Sequence, residues 1–147
     1  MVNKYSFPAY LFLLLGICFY ACTGSNKGNT DKTLLTTYNF VMTDSNNVSL
    51  SEGTLTVESF MAKMFSGNYK VTKMYVDKVN GLKSKGKFEG AADDGMQNIS
   101  INRNPKIADA NLFISAKISG DSLNGTWMYS TMKGVQQAGL FKSVKSN

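Results

Sequence analysis

Between Ala110 and Ser119 the side chains alternate with a strict period of two: Leu112, Ile114, Ala116 and Ile118 on one face, Phe113, Ser115 and Lys117 on the other. Only an extended chain keeps such a set on one side, because a helix would turn each residue about 100° from the last. The same alternation recurs along the chain. It puts Tyr38, Phe40 and Met42 together in residues 33–43, and Leu55 and Val57 in residues 48–59. In residues 68–76 the shared face carries Tyr69, Val71, Lys73 and Tyr75. Phe88 lies in residues 84–90, Ile99 and Ile101 in 96–103, Trp127 and Tyr129 in 123–130, and Phe141 in 137–145. The chain therefore predicts eight strands and no helix longer than a turn or two. The period breaks at residues 60–65, where a single helical turn capping one end is expected.

The strands are separated by turn chemistry: Asp44-Ser45-Asn46-Asn47, Asn80-Gly81, Asp93-Asp94-Gly95, Asn104-Pro105 and Gly120-Asp121. Short connections join antiparallel neighbours. The expected fold is an all-β, up-and-down antiparallel meander of about eight strands, closed or nearly closed into a small barrel. Closure removes the exposed edges that an open sheet would have to protect, and a two-sheet sandwich is the alternative. A glycine followed two positions later by an apolar or aromatic residue recurs at Gly53, Gly67, Gly86, Gly125 and Gly139. A glycine there permits a sharp bend or close backbone approach, with the large side chain filling the core.

Before the first strand lies an apolar run from Ala9 to Ala21, preceded by Lys4 and followed by Cys22. It has the length of a signal-peptide core and falls short of the roughly 20 residues of a membrane-spanning helix. The ending Ala21-Cys22 resembles a bacterial lipobox, departing from it at Phe19 and Tyr20. The resemblance implies that residues 1–21 are a lipoprotein signal peptide and that Cys22 receives the lipid, including a palmitate-type acyl chain. Residues 22–33 are polar and glycine-containing and form a flexible tether, leaving residues 34–147 as the barrel domain. Acylation would leave the mature chain no free cysteine, so a disulfide framework is not expected.

Beyond the signal, the strand start Gly125-Thr126-Trp127 and the closing Gly139-Leu140-Phe141 carry a resemblance to small extracytoplasmic β-barrel lipoproteins of the Bacteroidota. More distantly the chain is similar to lipocalins and avidin-type barrels. Those families place their glycine-x-tryptophan near the first strand; here it lies in the seventh. The resemblance implies architecture, a lipid-anchored place in the cell envelope and the periplasmic side of the outer membrane. It carries over no ligand residue.

The chemistry is narrowed by what is missing. The chain has no histidine, which removes histidine bases and ligands. Its carboxylates are scattered, and Asp93-Asp94 is explained by its turn. Neither a metal nor a cofactor is expected, and no enzymatic activity. Loss of residues 1–21 removes Lys4 alone and leaves 15 basic against 10 acidic residues, a modest positive charge that suits an anionic neighbourhood and is no nucleic-acid signature. Lys63, Lys70, Lys73, Lys78, Lys83, Lys85 and Lys87 crowd one span. They decorate a solvent face or form a patch that meets an anion or a membrane surface.

Two binding roles follow. In the first, the barrel holds a small hydrophobic or amphipathic ligand, with Tyr69, Tyr75, Trp127, Tyr129 and Phe141 as candidate lining. Met42, Met64, Met74, Met96, Met128 and Met132 would add an adaptable surface. The competing expectation is that these side chains fill the core, since eight strands leave just enough room for them. In the second role the domain is a protein-interaction module, an inhibitor or accessory subunit of an envelope complex, with an acidic partner. Asp121-Ser122-Leu123 resembles the tripeptide at which Bacteroidota O-glycosylate exported proteins, which makes Ser122 a glycosylation candidate.

Overall fold

The computed structural model describes residues 35–107 and 109–146. The signal peptide, Cys22 and the tether expected at 22–33 lie outside the described residues. Eight strands follow in chain order: β1 (Thr36–Asp44), β2 (Ser49–Met61), β3 (Met64–Met74), β4 (Lys85–Ala92), β5 (Asn98–Asn102), β6 (Ala110–Ser119), β7 (Ser122–Thr131) and β8 (Gly134–Lys145). Each pairs antiparallel with the next, and β8 returns to β1, so the sheet closes into an up-and-down barrel. The sandwich alternative is set aside. One periodicity accounts for the closure: every second residue points into a single core that includes Phe40, Leu55, Phe88, Ile101, Ile114, Trp127 and Phe141.

The helical turn expected at 60–65 does not form. Phe60 and Met61 stay in β2, opposite Phe65 and Met64 in β3, and only Ala62-Lys63 turn the chain. Ala62 takes the left-handed conformation (φ 57°) that such a two-residue hairpin demands. Phe60 and Phe65 stack across it with ring centroids 6.3 Å apart. The broken period marks a two-residue hairpin turn, not a helical turn.

The glycines have a cross-strand explanation. Phe40 stands opposite Gly53, Tyr69 opposite Gly86, Phe88 opposite Gly67, Phe65 opposite Gly90, Trp127 opposite Gly139 and Phe141 opposite Gly125. On that one side each ring meets no inward side chain from the adjacent strand. At Gly139 a Cβ would come within 1.9 Å of the Thr43 carbonyl and 2.8 Å of Trp127 Nε1. Glycine thus makes room for an aromatic ring from the strand beside it, rather than for the one two residues along its own strand.

The two ends of the barrel are finished differently. At one end lie the hairpins 62–63, 93–97 and 120–121, together with the start of β1. At the other, the ten-residue connection 75–84 folds over the opening. Val79 from this connection is 2 % exposed, and Gly81 (φ 73°) sits directly against Tyr129 and Leu112. We call these the open and the covered end.

Candidate functional site

Counting along β5 in steps of two, Ile99 and Ile101 point inward and the next inward position is Arg103. Its side chain is 1 % exposed, inside an otherwise apolar core. The backbone there is fixed on both sides. Arg103 N donates to Leu112 O (2.9 Å), and the Asn111 side chain, itself buried, accepts from Asn104 N (3.1 Å) and donates to Asn104 O and Ile107 O (3.1 Å each). Asn104 N is also near Asn102 Oδ1 (2.9 Å), and Asn104 Nδ2 donates to Gly81 O (3.3 Å). Two asparagines therefore tie the connection 103–109 to itself and to the covering loop.

The guanidinium sits over the Tyr69 ring, with Cζ 3.3 Å from its centroid, and 5.4 Å from the centroid of Phe40. Nη1 faces the Met42 sulfur at 4.0 Å. Nε and Nη2 have no hydrogen-bond partner, nor does Tyr69 Oη. Among the described residues the only salt bridge is the exposed pair Lys63–Asp94, so no carboxylate balances Arg103. Burial pulls its pKa down to about 10, with Tyr69 opposing the drop, and it remains charged at neutral pH. Two further inward hydroxyls, Ser51 and Ser143, are buried without partners; they stand opposite Met42 and Phe40.

Beside Arg103 the wall of the barrel is incomplete. β4 pairs β5 over Glu89–Ala92 alone, which leaves Lys85 to Phe88 without a neighbour on that side. A slot of about 510 Å³ occupies the gap, with Arg103, Tyr69 and Gly67 among its lining. Lys83, Lys85, Lys87 and Lys106 border it, against the carboxylates of Glu58 and Glu89.

A second cavity, of about 170 Å³, opens at the open end and is lined by Leu55, Val57, Phe60, Phe65, Ile99, Ile101, Ile118 and Leu123. Thr36 and Tyr38 supply its polar rim. Burial, and then the Asp121 carboxylate, push the Tyr38 phenol above its usual pKa, so it stays a neutral hydrogen-bonding group.

The expected lining residues fall in different places. Tyr69, Trp127 and Phe141 are interior, at 2 %, 1 % and 0 % exposure. Trp127 Nε1 reaches across Gly139 to donate to Thr43 O (2.8 Å), and Phe141 stacks on Phe40. Tyr129 is half-buried, packed against Gly81 of the covering loop. Tyr75 is not inside: it lies past the end of β3, its hydroxyl on Glu52 (2.9 Å) and its ring under the Lys73 ammonium. Of the methionines, only Met42 is buried; Met64, Met74, Met96 and Met132 are exposed and Met128 is half-buried, so they line no common pocket. Ser122 is half-buried as the first residue of β7, beside the Gly120-Asp121 turn. The residue that sequence reasoning passed over is Arg103. The step of two through Ile99 and Ile101 was the signal, and a charged side chain at a strand end is ordinarily read as solvated.

Among the described residues, no group of three or more His, Cys, Asp or Glu could hold a metal, and no helix is long and apolar enough to cross a membrane. No protein-family model, curated protein or solved structure matches this chain.

Proposed function

We propose that this is a lipid-anchored, non-enzymatic protein of the bacterial envelope that binds a small hydrophobic or amphipathic ligand in its barrel. The carrying observation is the apolar cavity at the open end. Its walls are aliphatic and phenyl groups, and a dry apolar space of roughly 150 Å³ is enough for a benzene-sized group. The cavity therefore suits a ring or the end of an acyl chain rather than a whole lipid. Tyr38 and Thr36 offer hydroxyls at the rim for a polar end. Thr36 also begins β1, so the mouth is at the end of the barrel where the first strand starts. With the lipid on Cys22, that arrangement favours a ligand taken from the membrane, on the periplasmic side of the outer membrane. The absence of histidine from the sequence supports binding over catalysis.

Two measurements test the reading. Titration of the protein with toluene, followed by methyl NMR, should shift Leu55, Ile99, Ile101 and Ile118, and Ile118→Trp should abolish the shifts by filling the cavity. Unmoved methyls in the unsubstituted protein would end the ligand-binding reading. Cys22→Ser should release the protein from the membrane fraction with its fold intact; retention would end the lipoprotein reading.

A further inference from the structure

We infer that the slot beside Arg103 is a second binding site, specific for the carboxylate of a small organic acid. It shares no lining residue with the apolar cavity at the open end. It therefore stands or falls independently of the proposed function.

Three observations meet at this point. Arg103 is a buried cation with no counter-charge, an arrangement that costs stability and that a folded core ordinarily avoids. Its two unpartnered nitrogens are Nε and Nη2, which lie side by side on one edge of the guanidinium. That edge is the fork to which a carboxylate binds through two parallel hydrogen bonds. The opposite edge is already spent against Met42, and the face against Tyr69. Tyr69, whose Oη has no partner within hydrogen-bonding geometry, lines the same slot. Finally, β4 runs past the end of β5 here and leaves a gap in the barrel wall, and the four bordering lysines outnumber Glu58 and Glu89 and concentrate anions at the opening.

Charge counting selects the carboxylate. One buried guanidinium is neutralised by one negative charge, whereas a phosphate dianion would carry a surplus into the same low-dielectric surroundings. The fork is screened from solvent, so the ligand must part the slot floor. Past the Arg103 N to Leu112 O bond, the connection is held by asparagine side chains and one turn bond from Ile107 N to Asn104 O, and it is the side that can yield. The bulk of the acid would occupy the slot, whose volume suits a small organic molecule.

The test is a titration of the full purified chain with sodium hexanoate, hexanol and inorganic phosphate, read by thermal unfolding and by the Arg103 Nε–H resonance. Hexanoate at millimolar concentration should raise the melting temperature and move the Nε–H resonance; hexanol and phosphate should do neither. Arg103→Met should lose the response while melting no lower than the unsubstituted protein. Arg103→Lys, which keeps the charge without the fork, should bind at least tenfold more weakly. Equal responses to hexanoate and hexanol would overturn the proposal, as would a preference for phosphate or an undiminished response in Arg103→Met. Should Arg103→Met not fold, undiminished binding by Arg103→Lys would overturn it instead. The toluene titration is untouched by any of these results, so failure here is distinct from failure of the apolar cavity.

Discussion

At the covered end, side chains are used up in holding the barrel together. Trp127 spans β7, β8 and β1 to reach the Thr43 carbonyl, the connection 75–84 lays Val79 and Gly81 over the core, and Arg103 is pressed between Tyr69, Phe40 and Met42. At the open end, Val57, Phe60, Ile118 and Tyr38 are only half-buried around a space no side chain fills. An eight-stranded barrel has just enough interior for its own side chains. Here Trp127, Val79 and Arg103 fill one end, and an unfilled space remains at the other among Tyr38, Phe60 and Phe65. The contrast teaches that the apolar cavity lies at the end where side-chain packing is incomplete. It also isolates Arg103 as the one feature of the covered end that packing does not account for.

The largest expected effect tests the structural role of that end. Trp127→Ala removes a fully buried indole and its hydrogen bond, and should cost about 3–5 kcal/mol of unfolding free energy in chemical denaturation. A loss below about 1 kcal/mol would mean that the covered end is not where the barrel is secured.

Next comes a gain. Burial pulls the Arg103 pKa down to about 10, a desolvation cost in the folded state on the order of 3 kcal/mol. Replacing the arginine by methionine also loses its stacking on Tyr69, so Arg103→Met should stabilise by about 1–3 kcal/mol. The pH dependence has a definite sign. With the folded pKa below the unfolded one, the cost is fully present below about pH 10 and is relieved as pH rises through about 10 toward the unfolded value. The advantage of Arg103→Met should therefore shrink as denaturation is repeated above about pH 10. An advantage that grows with pH, or a variant less stable at neutral pH, would show that Arg103 is held for structural reasons.

The architecture was legible in the sequence because burial in a single-cored barrel repeats every two residues, and Ala110–Ser119 was delimited to the residue. Hairpin chemistry was readable at 44–47 and 93–97, where Asp44 and Asp93 accept hydrogen bonds from the backbone of their own turns. The tight turn at Ala62-Lys63 was not, because neither residue advertises a left-handed conformation and the flanking Met and Phe residues read equally well as a helical face. Tyr75 was misplaced because alternation was extended past the end of β3, where the chain leaves the sheet. The candidate site was the least legible part. Its slot exists because β4 outruns β5, a property of register between strands that no periodicity within one strand records.

The smallest expected effect lies at the open end. Ile118 is half-buried and borders the unfilled cavity, so truncating it enlarges a space that already has an opening. The penalty for creating a cavity scales with the enclosed volume left behind, and a fully buried Ile→Ala change costs about 2–5 kcal/mol. Ile118→Ala should cost only about 1 kcal/mol, mostly for apolar area returned to water. It should also let the cavity accept a bulkier guest, so that naphthalene shifts the Leu55 and Ile101 methyls more strongly than in the unsubstituted protein. A cost approaching that of Trp127→Ala would put Ile118 in the load of the core and erase the distinction between the two ends. A cost near 1 kcal/mol with unchanged naphthalene shifts would leave the distinction in stability and confine the cavity to guests of toluene size.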